Sequence, residues 1–141
     1  MLTNVESLLL GKLLEGDHPT LAALRRQATA ATAGTRTRSP VGVNTALIVG
    51  GDTAPVTPSN FDITDVAFQF RGAENSGHAV LMVRDGVMQE LMAYNWTDEW
   101  PLDAQVAELD WVKYLAPGAS GLEMQPSDNR DLQGLARELA A

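Results

Sequence analysis

The chain has 141 residues, with two histidines, His18 and His78, and no cysteine. Without cysteine there is no disulfide, no thiolate metal site and no cysteine nucleophile. Neither histidine stands in an H-x-H or H-E-x-x-H spacing, the usual mark of metal ligands on one element, so no metal and no cofactor is assigned. His18 precedes Pro19, where it reads as a helix cap. His78 heads an apolar run, as the polar end of a strand or as a general base working with a carboxylate. Glu90 is the carboxylate of interest. A carboxyl desolvated among apolar side chains has its pKa raised, which is how general acids are made. The competing reading is an ion pair with Arg36 or Arg38.

Recognition chemistry is concentrated elsewhere. In Tyr94-Asn95-Trp96-Thr97-Asp98-Glu99-Trp100-Pro101, two of the three tryptophans and one of the two tyrosines fall together. Tyr94, Trp96, Asp98, Glu99 and Trp100 are the candidate binding residues, since Trp and Tyr anchor interfaces. The same loop could instead fold down as a lid on the core. No nucleophile elbow, phosphate loop or dinucleotide fingerprint is present.

The element that must position these groups is a β-hairpin. Apolar runs from His78 to Arg84 and from Val87 to Tyr94 flank Asp85-Gly86, the preferred dipeptide of a two-residue type I′ turn. Counting back from the turn pairs Arg84 with Val87, Val83 with Met88, Met82 with Gln89, Leu81 with Glu90 and Val80 with Leu91. Alternation then puts Ala79, Leu81, Val83, Met88, Glu90, Met92 and Tyr94 on the core face. His78, Val80, Met82, Arg84, Val87, Gln89, Leu91 and Ala93 fall on the other face.

Around the hairpin, leucines 2, 9, 10, 13 and 14 with Val5 mark an N-terminal helix within residues 2–15, capped by Thr3 or Asn4. A second helix opens at His18-Pro19, buries Leu21, Leu24 and Ala28, and turns Arg25, Arg26 and Gln27 outward. Thr35 to Arg38 alternates as a polar edge strand, and Val41 to Val49 is a stronger strand. Phe61 to Phe70 slips phase, which predicts a bulge near Thr64-Asp65. Glu108 to Leu115 is the last strand expected. Leucines 132, 135 and 139 predict a short C-terminal helix opened by Ser127-Asp128. The fold class is α+β, with residues 1–141 as one domain: two N-terminal helices on a bent, mostly antiparallel sheet of five to six strands, then the short C-terminal helix.

These residues also resemble a family of small uncharacterised bacterial proteins, with a helix of the form HPxLxxLRxQ and a hairpin of the form LxxxDGxxxxLExYxxxxxWP. The matching residues are His18, Pro19, Leu21, Leu24, Arg25, Gln27, Gly42, Leu81, Asp85, Gly86, Leu91, Tyr94, Trp100 and Pro101. Met92 stands where the pattern has Glu, so any role of that Glu is lost here or moved to Glu90. The resemblance implies the fold and a bacterial cytosol, and no activity.

The formal charge is −8, from 18 acidic and 10 basic residues. That excess opposes phosphate and anionic membrane surfaces, so no nucleic-acid or membrane partner is expected. The N-terminus lacks a signal-peptide pattern, which makes the cytoplasm the expected location. The leading functional reading is a non-catalytic acidic protein that binds another protein, a basic one, in the manner of an immunity or regulatory factor, or that binds itself. The alternative is a small hydrolase-like acid–base enzyme using Glu90 with His78. The apolar middle of the second hairpin face predicts a homodimer with Met82 or Leu91 at its contact.

Overall fold

The computed structural model describes residues 2–96, 98–100, 109–118 and 123–140. Thr3 opens helix α1 (Asn4–Leu13) with a capping box: its hydroxyl accepts from the Glu6 N–H, and the Glu6 carboxylate accepts from the Thr3 N–H. Helix α2 (Pro19–Ala28) begins as expected, with His18 Nδ1 accepting from the Thr20 N–H and Pro19 in the first turn. Between them, Arg25 reaches back and donates to the carbonyls of Leu14 and Gly16, just past the end of α1.

Seven strands follow: β1 (Thr32–Ser39), β2 (Gly42–Ile48), β3 (Phe61–Phe70), β4 (Gly77–Arg84), β5 (Val87–Asn95), β6 (Leu109–Pro117) and β7 (Met124–Ser127). They form one sheet in the order β1-β2-β5-β4-β3-β6-β7, antiparallel throughout. The sheet therefore has seven strands rather than five or six. The extra one is β7, a short stretch with Pro126 and almost no burial, whose extended state comes from pairing with β6. Helix α3 (Leu132–Ala140) closes the chain. Its first turn is capped by Asp131, which accepts from the Gly134 N–H, and not by Ser127-Asp128.

The helices pack on one face of the sheet. Leu9, Leu13, Leu21, Leu24, Leu135 and Leu139 join Ile63, Phe68, Leu81 and Leu91 in one core. No helix among the described residues is long and apolar enough to cross a membrane. The β2–β3 connection crosses the end of the β4–β5 hairpin, exchanging Val56 N–H to Gly86 O and Gly86 N–H to Ser59 O bonds. Asp85 and Gly86 have φ of 55° and 78°, as a type I′ turn requires. Gly86 has a second reason to be glycine, since a Cβ there would lie 2.5 Å from Pro55.

Two corrections bear on function. Gln27 does not face outward. It is 1% exposed, its amide nitrogen donates to the carbonyls of Ala54 and Gly86, and its amide oxygen accepts from the Met88 N–H. Helix α2 thereby grips the hairpin turn. The hairpin register also departs from the simple count. Arg84 pairs with Val87 and Val83 with Met88, but then Met82 meets Glu90, Leu81 meets Leu91 and Val80 meets Met92. Gln89 is the extra residue of a β-bulge. From Glu90 onward every side chain of β5 changes face.

Candidate functional site

The bulge at Gln89 decides which side chains meet. Leu91, Ala93 and Asn95 turn into the core, while Glu90, Met92 and Tyr94 turn to the face without helices. Glu90 is thus not an inner-face carboxylate, and Leu91 is not a surface residue. Nor does Glu90 pair with Arg36, whose guanidinium belongs to Glu6. Glu90 and His78 do share the outer face, but the Val80–Met92 pair lies between them. Four residues along a strand is about 13 Å, too far for the two to act on one proton.

What His78 does meet is Tyr94, its cross-strand partner. Their rings lie 6.0 Å apart, and Trp96 completes a trio at 6.4 Å from His78 and 5.9 Å from Tyr94. The bulge in β3, where the sequence places it, turns the Thr64 carbonyl toward His78. A carbonyl only accepts, so His78 Nε2 carries the hydrogen, and Nδ1 is left to accept from the Tyr94 hydroxyl at 3.5 Å. Both ring nitrogens are engaged. The imidazole serves as a spacer that orients two aromatic rings.

The loop after β5 then divides its two tryptophans. Trp96 is 62% exposed. Trp100 folds inward as a lid, edge-on to Phe68 at 5.8 Å and Phe70 at 5.0 Å, with its backbone N–H donating to the Pro40 carbonyl. Asn95 braces this path through an Nδ2–H bond to the Glu99 carbonyl. Its Oδ1 is buried without a partner among the described residues. The Asp98 carboxylate accepts from the N–H groups of Glu74 and Asn75, tying the loop to the β3–β4 turn. Of the candidate binding residues, Tyr94 and Trp96 stand together, Asp98 binds the β3–β4 turn, Glu99 is exposed and Trp100 is turned inward. Thr97 and Pro101 lie outside the described residues.

Sequence reasoning missed the most buried acid among the described residues. Glu6 is 5% exposed and binds Arg36 through both carboxylate oxygens, at 2.9 and 2.7 Å, while also accepting from the Thr45 hydroxyl. Burial pushes its pKa up, but bonds from Arg36, the Thr3 N–H and Thr45, with the Arg36 charge, outweigh burial and hold it at about 2. The Thr-x-x-Glu spacing is a local signal that could have found the bond to Thr3; no local signal points to Arg36. The cleft above this pair, between Thr3, Arg38 and Trp100, has a volume of about 40 Å³. A second network pins the C-terminal segment: Arg130 makes two 2.7 Å bonds to Asp65, donates to the Glu15 carbonyl, and with Lys12 lies over the Tyr114 ring. Burial pushes the Tyr114 hydroxyl pKa up. Among the described residues, no three His, Asp or Glu side chains gather as a metal would need.

Comparison with known proteins gives no match, whether to family models, curated proteins or solved structures.

Proposed function

We propose that this chain is a non-catalytic acidic protein that engages a basic protein, in the manner of a small immunity or regulatory factor, and that it also pairs with a second copy of itself. The observation that carries the first part is Trp96. It is an exposed indole flanked by the rings of Tyr94 and His78, on a loop whose Asp98 carboxylate accepts from the N–H groups of Glu74 and Asn75. Interface anchors are enriched in Trp, and a guanidinium or ammonium group is attracted to an indole face. The chain's own basic residues offer little competition. Lys12, Arg36, Arg71, Arg84, Lys113 and Arg130 all have carboxylate partners within the fold. The net charge of −8 adds steering, which salt screens.

The test is affinity capture from a lysate of the source organism and from the products of neighbouring genes, at low and high salt, with wild type and Trp96→Ala. The expected result is a basic partner held at low salt and weakened by either change. No partner under any condition, or a partner indifferent to Trp96, refutes the reading.

A further inference from the structure

We infer that His78 is a proton gate on Trp96: neutral, it leaves the indole open to a partner's cation, and protonated, it sets the chain's own positive charge beside that indole. What the gate controls rests on the reading of Trp96 as an anchor; the gate itself rests on the geometry of the free chain.

The neutral state is defined by the two bonds of the imidazole. Nε2 must carry the ring hydrogen, because it faces the Thr64 carbonyl that the β3 bulge turns toward it. Nδ1 is then the one ring nitrogen able to take a proton. Its lone pair accepts from the Tyr94 hydroxyl at 3.5 Å, long enough for the bond to be weak. A solvent proton bound at Nδ1 reverses that bond: Nδ1–H donates, the Tyr94 oxygen accepts, and the hydroxyl hydrogen turns away. The bond to Thr64 survives and becomes charge-assisted. The ring keeps its place while its charge changes.

That charge falls on Trp96. The two ring centroids lie 6.4 Å apart with their planes 31° from parallel, and the indole is 62% exposed. A partner's cation is drawn to within about 6 Å of an indole centroid, which leaves it about 10 Å from the imidazolium. Repulsion at that separation weakens binding about twofold through water and about fifteenfold where protein excludes it. Histidine is the side chain that ordinarily changes charge between about pH 5 and 8, and His78 is the sole imidazole at this end of the sheet among the described residues. The charged groups on the neighbouring elements are of other kinds. From β3, Asp65 binds Arg130 and Asp62 binds Arg84. From β6, Lys113 stands in the same rung beyond Ala67, about 10 Å away, and bridges to Asp128 next to β7. From β5 there is Glu90, and from the two flanking loops Glu74, Asp98 and Glu99.

The test is made on the free chain. Imidazole nitrogen–proton NMR spectra are expected to show the Nε2–H tautomer of His78, with protonation as pH falls from about 8 to about 5. Tryptophan emission is expected to fall along the same curve, since an imidazolium quenches a nearby indole. The fall is expected to be lost in His78→Gln and Trp96→Phe and kept in His18→Gln, with unchanged far-UV circular dichroism. An Nδ1–H tautomer, emission indifferent to His78 protonation, or an equal fall in Trp96→Phe overturns the proposal. If His78→Gln does not fold, the wild-type tautomer and the Trp96→Phe curve decide. A partner captured through Trp96 is expected to be held less tightly at about pH 5.5 than at about pH 7.5, and equally at both by His78→Gln. Equal retention by wild type overturns the gate, whereas failure to capture any partner refutes the anchor and leaves the gate to the emission result.

Discussion

Replacing Glu6 by Gln keeps the shape of the side chain and its ability to cap α1, and removes only the charge. Glu6 is 5% exposed, and its carboxyl is held at about 2 against an ordinary 4.5. Because the folded value is depressed, the contribution is complete above the unfolded value and disappears as pH falls from 4.5 through about 2. A difference of that size contributes about 3 kcal/mol at neutral pH, of the order lost when one partner of a buried ion pair is removed. Urea unfolding of wild type and Glu6→Gln across pH therefore has a defined outcome. The two should differ by about 3 kcal/mol near neutrality, with Tm lower by about 10 °C, and converge toward about pH 2. The other carboxylates titrate in both proteins, so the difference between them isolates Glu6. A gap that stays constant down to about pH 2.5, or one below about 1 kcal/mol at neutrality, would refute the reasoning.

Substitutions at Gln27 and at the two loop tryptophans test how the loops are held. Gln27→Ala strands the Met88 N–H and the Ala54 carbonyl, while Gly86 O keeps its bond from Val56; the expected loss is about 4 kcal/mol. Gln27→Leu should recover little of it, and hydrogen exchange at the Met88 amide should accelerate in both. Trp100→Ala removes a ring packed edge-on to Phe68 and Phe70 and should cost about 3–4 kcal/mol, whereas Trp96→Ala should stay within about 0.5 kcal/mol. Equal effects of the two in thermal unfolding would mean that the division into lid and exposed anchor is wrong.

The sequence by itself determined the features whose causes are local. The Asp85-Gly86 turn, the start of α1 at Thr3 or Asn4, the His18-Pro19 corner and the bulge at Thr64-Asp65 each follow from a few adjacent residues. The polar edge strand also follows, because Thr35 to Arg38 alternates without apolar side chains to bury. Even the HPxLxxLRxQ pattern is intelligible residue by residue: the imidazole caps α2, Arg25 closes α1 and Gln27 grips the turn. What those last two residues reach was not readable. A polar residue on a helix looks the same in sequence whether it faces water or a buried carbonyl.

Only the tertiary structure decided the face of each residue after Gln89. Val87 to Met92 is apolar enough to fit either phase, so the count from the turn favoured the unbulged register. The register was settled by packing, with Met88 and Leu91 both 1% exposed and the Met88 N–H taken by Gln27, 61 residues away. That one-residue slip moved Glu90 out of the core, moved Leu91 in, and brought Tyr94 beside His78. Glu6 and Arg36, 30 residues apart, joined for the same kind of reason. Long-range partners are chosen by the free energy of burying a whole face, and that energy exists only once the sheet and helices are together.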